Sequence, residues 1–194
     1  TSFKEEDFIS KLFIANTHDT LLCFSSYGKV YWIKVYRLPR AGRNAKGRPI
    51  VNLLPLKNDE RIQAVLPIKD FQQNKFVFMA TRQGTIKKTP LSAYSRPIKT
   101  GIKAIKLKEG DTVVNVEITE GDQEIMLFSD AGKAIRFSEK DARPMGRVSQ
   151  GVRGMRIEKK QKVISLIVAN EGNILTATEN GIEKQTPIKD FTLQ

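Results

Sequence analysis

Residues 125–137 read IMLFSDAGKAIRF, which is an apolar run, a polar turn containing Gly132, and a second run of alternating character. Glycine accepts the positive φ of a tight hairpin turn, so this stretch predicts two short antiparallel strands. Similar stretches surround Gly28, Gly84 and Gly181, and the glycines lie about 50 residues apart, with a longer first interval. The chain is therefore built from a repeated unit.

Two further elements follow the hairpin in each of the first three repeats. Residues 49–56, 100–107 and 150–157 read PIVNLLPL, TGIKAIKL and QGVRGMRI, and residues 62–66, 113–118 and 163–168 read IQAVL, VVNVEI and VISLIV. Each repeat thus predicts four short strands, because β-branched and aromatic residues dominate these runs. A short helix is also predicted over residues 3–13.

Four-stranded units of about 50 residues are typical of propeller blades, so we predict an all-β fold of the β-propeller or β-pinwheel type. We treat residues 1–194 as one domain in which about four blades are present and the ring is not closed. The approximate repeat boundaries are 12–67, 74–119, 123–169 and 172–194. A pair of packed sheets is the alternative architecture.

Composition limits the classes of protein to which the chain can belong. Its 194 residues can bury a hydrophobic core without disulfides or metals. The single cysteine, Cys23, excludes an internal disulfide and is typical of a reducing compartment. Because residues 1–10 do not resemble a signal peptide and no apolar run could span a bilayer, we expect a soluble, cytoplasmic protein without a membrane partner.

Charge follows the repeat. The formal net charge is +12, which favours an anionic partner, and nucleic acid before membrane. Residues 29–48 carry seven basic residues and residues 82–108 carry eight, with no acid in either stretch, and residues 133–162 carry ten against three acids. Residues 109–132 carry seven acids and no base. Since equivalent positions occupy equivalent places on successive blades, we expect a continuous basic band suited to a wrapped duplex.

The basic loops predict contacts to the DNA backbone rather than to bases. Residues 38–48, LPRAGRNAKGR, mix arginine with glycine, so the backbone can approach phosphates closely; residues 94–101 and 142–151 are the counterparts. No recognition helix or zinc-finger spacing is visible. The predicted DNA-binding residues are Arg37, Arg40, Arg43, Lys46, Arg48, Lys87, Lys88, Arg96, Lys99, Lys103, Arg143, Arg147 and Arg153.

Several longer stretches resemble one family. Residues 14–39, IANTHDTLLCFSSYGKVYWIKVYRLP, and residues 47–56, GRPIVNLLPL, are similar to the C-terminal domain of bacterial DNA gyrase A, and the likeness continues through FMATRQGTIKKT, MLFSDAGKAIRF, GVRGMRI and VISLIV. The resemblance implies a six-bladed β-pinwheel that wraps double-stranded DNA around its basic rim. It also implies a bacterial, nucleoid-associated A2B2 enzyme, formed with the rest of the gyrase A chain and with gyrase B, that introduces negative supercoils.

The same resemblance places the catalytic chemistry elsewhere. In that family the catalytic tyrosine lies in the N-terminal part of gyrase A, and gyrase B uses ATP and Mg, so we expect no catalytic residue, metal or cofactor in this chain. The family's heptapeptide Gln-Arg-Arg-Gly-Gly-Lys-Gly does not occur here. We therefore expect a monomeric fragment that begins after the heptapeptide and lacks the last blades. The alternatives are the corresponding domain of topoisomerase IV and a protein-interaction propeller with a basic face.

Other candidate chemistry is weak. His18 lies near Asp19 and Ser25 in sequence, but neighbours in a hairpin rarely form a catalytic triad, and we expect a structural histidine. The glycine spacing of residues 42–47 is that of a phosphate loop, yet the Lys-Ser/Thr continuation is missing, which argues against an NTPase. Cys23 is expected to be a buried, small apolar residue.

Overall fold

Four antiparallel sheets follow one another along the chain. The computed structural model describes residues 12–42, 45, 47–71, 74–169 and 171–194, so most of the predicted helix at residues 3–13 lies outside the described residues. The strands are β1 (Thr20–Ser25), β2 (Lys29–Lys34), β3 (Ile62–Ile68), β4 (Phe76–Thr81), β5 (Thr85–Pro90), β6 (Ile102–Lys103), β7 (Val113–Thr119), β8 (Glu124–Ser129), β9 (Ala134–Ser138), β10 (Val152–Arg153), β11 (Val163–Ala169), β12 (Asn173–Ala177) and β13 (Glu183–Pro187). Short 3-10 helices cover Val35–Arg37, Ile50–Asn52, Leu91–Tyr94, Glu139–Asp141 and Ile188–Asp190.

The sheets form an open, propeller-like array, which confirms the predicted all-β class. Sheet 1 has the strand order β3-β1-β2-β6, and sheet 2 has the order β10-β5-β4-β7. Sheet 3 contains β11-β8-β9, and sheet 4 is the hairpin β12-β13. All pairings between these strands are antiparallel, and the ring of sheets is not closed within the described residues.

One turn chemistry recurs in all four hairpins. Each turn begins with a serine or threonine and has glycine three residues later, with φ between +70° and +81°. The glycine N–H donates to the carbonyl of that first residue, and the hydroxyl accepts from the residue after the glycine at 3.1–3.3 Å. The hydroxyl residues are Ser25, Thr81, Ser129 and Thr178. The predicted glycine turns are thus confirmed, and the side-chain cap explains the polar residue that precedes each of them.

The third element of a repeat joins the preceding sheet, which the sequence did not predict. β6 pairs with β2, and β10 pairs with β5, so each completes the sheet of the repeat before it. The carbonyl of Gly28 accepts the N–H groups of residues 104 and 105, and the carbonyl of Gly84 accepts those of residues 154 and 155. The approach is close, since a Cβ on Gly84 would lie 2.3 Å from the carbonyl oxygen of Met155. The second and third repeats each contain four strands, as expected, but these four strands do not form one sheet, because the third is exchanged into the sheet of the preceding repeat.

The corresponding segment of the first repeat, residues 49–56, is not a strand. It forms the 3-10 helix Ile50–Asn52 and then a turn, and its backbone bonds stay local, as from Asn52 N–H to the Pro49 carbonyl at 3.0 Å. Leu54 is buried and packs with Leu21 and Ile33 of sheet 1. This segment contributes apolar side chains to a face of the sheet instead of ladder hydrogen bonds.

The cores lie between neighbouring sheets. Leu22 and Phe24 of sheet 1 pack with Val77 and Met79 of sheet 2, and a second cluster joins sheets 2 and 3. All six residues of β1 are buried, because both faces of the strand are covered. Strands that are buried on both faces lose the alternation of polar and apolar residues, and β5, in which the first five of six residues are buried, is one of them.

Candidate nucleic-acid interface

Two basic loops run along the outer edges of sheets 1 and 2. Edge loop 1 (residues 95–103) ends in β6 and passes along β2, and edge loop 2 (residues 143–153) ends in β10 and passes along β5. A glycine of positive φ, Gly101 or Gly151, turns each loop into its edge strand. A Cβ on Gly101 would lie 2.5 Å from the Tyr31 ring, so only glycine allows the backbone to approach this closely.

Both edge loops carry exposed cations, and one pair of them lies at matching places. Arg96, Lys99, Lys103, Arg143 and Arg153 are exposed, and Arg147 is half-buried. Strand register puts Lys103 opposite Lys29 and Arg153 opposite Thr85, and Lys29 and Thr85 each directly follow a turn glycine. The expected repetition of charge from blade to blade is therefore present on these two edges.

The two edge loops are also joined to each other. The N–H of Lys106, just beyond edge loop 1, donates to the carbonyl of Ser149 in edge loop 2 at 3.0 Å. The Ser149 hydroxyl in turn donates to the carbonyl of Gly146 at 2.7 Å and closes a tight turn. Cations on sheet 1 and sheet 2 thus belong to one connected surface rather than to separate loops.

The first basic loop is described only in part. Arg37, Arg40 and Arg48 are exposed, whereas the predicted residues Arg43 and Lys46 lie outside the described residues. The guanidinium carbon of Arg37 lies 6.0 Å from the centre of the Tyr36 ring, which is a cation–π distance. Arg37 ends the 3-10 helix Val35–Arg37 that follows β2.

Lys87 is not available to DNA, contrary to the prediction. Its side chain is fully buried, and its amine donates to the carbonyls of Ala104 (2.7 Å), Ser149 (3.2 Å) and Arg147. Burial, with a smaller contribution from the neighbouring charge of Arg147, lowers the pKa of Lys87 to about 8. Lys87 therefore braces the end of edge loop 1 and the turn of edge loop 2 from beneath.

Lys88 is likewise buried and is paired within the protein. Its amine lies 3.0 Å from a carboxylate oxygen of Glu139, 3.2 Å from the Glu139 carbonyl and 4.5 Å from the centre of the Phe76 ring. Burial by itself raises the pKa of Glu139, but hydrogen bonds from the Gln123 N–H and the Thr119 hydroxyl, together with Lys88, bring that pKa below its usual value. This pair joins sheet 2 to the 3-10 helix after β9.

The predictions for Lys87 and Lys88 are wrong for the same reason, and the repeat alignment indicates their burial. Lys87 and Lys88 occupy the third and fourth positions after the turn glycine, where the first repeat has Tyr31 and Trp32. In sheet 1 the Trp32 indole N–H donates to the Tyr94 carbonyl at 2.9 Å, as the Lys88 amine does to the Glu139 carbonyl. Equivalent positions that hold large aromatic residues indicate an interior site, so these lysines belong to the contacts between sheets.

Two exposed cations are not among the DNA-binding residues predicted from the sequence. Lys106 and Arg156 are exposed and lie three residues beyond Lys103 and Arg153, just past the edge strands. The repeat alignment pairs Lys106 with Arg156 as it pairs Lys103 with Arg153. The exposed basic surface therefore extends beyond the loops to the segments that cover the turn glycines of the preceding repeat.

Part of the acidic stretch at residues 109–132 has a structural role. The Asp111 carboxylate accepts the N–H groups of Gln83 and Thr112, both at 2.9 Å. Glu124 pairs with Arg136 at 2.6 Å, next to an open groove of about 820 Å³ between sheets 3 and 4. Asp111 and Glu124 are therefore engaged in hydrogen bonds and an ion pair within the protein.

The other candidate groups do not form a catalytic or metal site. His18 is exposed, and its carbonyl accepts from the Lys34 amine at 3.4 Å, while the Ser25 hydroxyl caps a turn. Burial raises the pKa of the Cys23 thiol to about 12, so it stays protonated. Across the described residues there is no cluster of three or more metal-ligating side chains, and no helix there is long and apolar enough to cross a membrane.

Comparison with known proteins connects this fold to one family. A family profile described as "DNA gyrase C-terminal domain, beta-propeller" matches residues 19–69, 75–120 and 123–170. The DNA gyrase A protein of Klebsiella oxytoca is 56% identical over 189 residues, which is 97% of this chain and 22% of that protein. The DNA gyrase A protein of Escherichia coli (strain K12) is 54% identical over the same length and with the same coverage. The chain thus spans only about a fifth of these relatives.

Two solved structures share the architecture. The crystal structure of the C-terminal domain of DNA topoisomerase IV superposes with a TM-score of 0.83 at 31% identity, covering 92% of this chain and 56% of that one. The structure of a DNA gyrase A C-terminal domain gives 0.78 at 26% identity and covers 100% of this chain and 63% of that one. The profile spans more than half of the chain, and the curated relatives are gyrase A proteins, so the chain belongs to the DNA gyrase A C-terminal domain family.

Proposed function

We propose that the chain binds double-stranded DNA through the phosphate backbone, independently of base sequence, along its two edge loops. The observation that carries the proposal is the placement of exposed cations at equivalent positions on the edges of two neighbouring, connected sheets. A duplex presents one phosphate charge per about 1.7 Å of axis, so a track of cations can neutralise successive phosphates and release their counterions. Exposed Arg37, Arg40 and Arg48 extend the basic surface.

Rigid loops favour this mode of binding. The Lys87 amine, the close approach at Gly101 and the turn at Ser149 fix the backbone before any ligand arrives. A preorganised loop loses little conformational entropy on binding. Among the described residues only short 3-10 helices occur, so no helix there is suited to read bases in a major groove, which favours contacts to phosphates as the main source of affinity.

We infer that this binding serves DNA wrapping in a whole gyrase. Similarity to DNA gyrase A proteins supports a place in an A2B2 enzyme, where the bound duplex would be presented for strand passage and ATP-dependent negative supercoiling. Smooth bending of a site of 20–30 base pairs costs on the order of 1–6 kcal/mol, which several phosphate contacts together can offset. The ATP chemistry and the strand cleavage would belong to the other parts of that enzyme.

Salt dependence tests the proposal. We expect the logarithm of the DNA affinity to fall steeply with the logarithm of salt concentration, and equally for duplexes of unrelated sequence. Replacing Arg96, Lys99 and Lys103 together with alanine should reduce the slope by about 0.9 for each phosphate that is no longer neutralised. Fluorescence anisotropy over a range of salt concentrations measures both the affinity and the slope.

A charge-matched variant is the control. Lys57, Lys69 and Lys189 are exposed and lie outside the edge loops, so their replacement with alanine removes the same charge without touching the proposed track. An equal loss of slope in both variants would contradict the proposal and leave only a net-charge effect. Stronger binding to an acidic peptide than to the duplex would instead identify a protein-interaction module.

A further inference from the structure

Each edge loop exposes a β-branched aliphatic residue at an equivalent position, and these two are the most exposed aliphatic residues of their loops. Ile98 is 53% exposed and Val148 is 70% exposed. Each lies three residues before the loop glycine, Gly101 or Gly151, and four residues before the first residue of the edge strand. A single exposed aliphatic side chain is ordinary in proteins. The recurrence at one position of two repeats, on the edge that carries the cations, indicates a shared use.

The protein holds both side chains on fixed turns. The Ile98 carbonyl accepts the N–H of Gly101 at 2.9 Å, so Ile98 opens a tight turn. Val148 lies between Arg147 and Ser149, whose carbonyls both accept from the buried Lys87 amine. Both side chains are exposed on turns whose backbone is hydrogen-bonded, so each is presented to solvent or to a ligand.

We propose that Ile98 and Val148 are apolar wedges that enter a groove of the bound duplex, partly unstack a base step and so bend the DNA. The proposal rests on the proposed function, since the neighbouring cations must hold the phosphates. Apolar side chains inserted between base steps are known to kink a duplex while basic residues hold its backbone. One wedge on each of two connected sheets would place bends at the intervals set by the repeat.

Charge makes duplex DNA the fitting occupant. Ile98 lies between the exposed cations Arg96 and Lys99, and Val148 follows Arg147 directly. A protein partner that buried these aliphatic residues would have to cover their cations as well, at a desolvation cost. A duplex meets both requirements, because phosphates flank each groove while the exposed edges and faces of base steps are partly apolar.

Base unstacking is the measurement that tests this proposal. A duplex of about 30 base pairs would carry 2-aminopurine beside TA steps, which are the most easily unstacked. We expect the chain to raise the 2-aminopurine fluorescence about twofold on saturation, and the double variant Ile98→Ser/Val148→Ser to lose most of that rise. The dependence of DNA affinity on salt concentration should be the same for the double serine variant as for the original chain, because the phosphate contacts remain. The variant Ile98→Leu/Val148→Leu should retain the fluorescence rise.

A matched variant separates wedges from general hydrophobicity. Ile164 on β11 and Leu175 on β12 are 52% and 63% exposed and lie outside the edge loops, so Ile164→Ser/Leu175→Ser should behave as the original chain. No fluorescence rise with the original chain, at a salt concentration where anisotropy shows full binding, would overturn the wedges and leave the DNA-binding function intact. Absence of binding in anisotropy would overturn both.

Discussion

Single residues between the sheets decide how this chain is held together. Trp32, Lys88 and Arg136 occupy equivalent positions, and each donates to a carbonyl in or beside the 3-10 helix of the next repeat. All three repeats have a hydrogen-bond donor at this position, but the donor group is an indole in the first, an ammonium in the second and a guanidinium in the third. Only Lys88 and Arg136 need a carboxylate nearby, and each has one, Glu139 or Glu124.

The Lys88–Glu139 pair should therefore be critical for stability. We expect Glu139→Ala to lower the free energy of unfolding by about 3–5 kcal/mol, because it leaves the Lys88 ammonium buried and unpaired. Since the pKa of folded Glu139 lies below the usual 4.5, this stabilisation is present above that pH and is lost as pH falls through the folded value. Urea unfolding at neutral and acidic pH measures both effects.

The exposed pair between Lys133 and Glu158 is the control for this variant. The two side chains are 2.6 Å apart and more than half exposed, so water screens the pair. Glu158→Ala should leave the urea midpoint almost unchanged. A similar small effect for Glu139→Ala would show that the buried pair is not required for stability.

Lys87 should make the free energy of unfolding depend on pH in the alkaline range. Its folded pKa of about 8 lies below the unfolded value of 10.5, so the unfolded state binds more protons between these values and stability rises with pH across that window. We expect this contribution to be about 3 kcal/mol and to vanish in Lys87→Met. Urea unfolding between pH 7 and pH 11 checks it, and identical profiles for the two proteins would contradict the assignment.

At the scale of elements, the turn glycines distinguish backbone strain from close packing. Gly84 and Gly132 have similar positive φ values, +81° and +72°, but a Cβ on Gly84 would collide with the Met155 carbonyl, whereas nothing lies within 4 Å of one on Gly132. We expect Gly132→Ala to lower the free energy of unfolding by about 1–2 kcal/mol, from left-handed strain alone. Gly84→Ala should lower the free energy of unfolding clearly more, because it also displaces β10, the strand exchanged into sheet 2.

Urea unfolding of the two alanine variants compares these effects directly. Equal losses would mean that the packing of the Gly84 turn against residues 154–155 adds nothing to stability. A larger loss for Gly132→Ala would contradict the packing seen around Gly84.

The elements themselves follow from the sequence to different degrees. The hairpins were predictable because a serine or threonine, a glycine and flanking apolar runs recur around Gly28, Gly84, Gly132 and Gly181. The strand exchange was not, because β6 and β10 are two residues long and carry no periodic pattern. Each pairs where the turn glycine of another repeat leaves room for a close approach of the backbone. That room is a feature of the tertiary structure, which the sequence of the short strand does not contain.

At the scale of the whole molecule, the phase of charge along the chain predicted which loops would be basic, but not every side chain that would face solvent. Arg96, Lys99 and Lys103 are exposed as expected. Lys87 and Lys88 are not, because sheets stacked on both faces bury successive residues of one strand, so strand alternation no longer separates inside from outside.

Footprinting of lysines and arginines tests most directly whether the two edge loops form one track for duplex DNA. Amine acetylation and phenylglyoxal modification of guanidinium groups, read by mass spectrometry with and without saturating duplex, report the exposure of each lysine and arginine. We expect protection of Lys99, Lys103 and Lys106 at edge loop 1 and of Arg143 and Arg153 in edge loop 2, with Lys57, Lys69 and Lys189 unchanged. Equal protection of both groups, or protection of neither, would contradict a track along the edge loops.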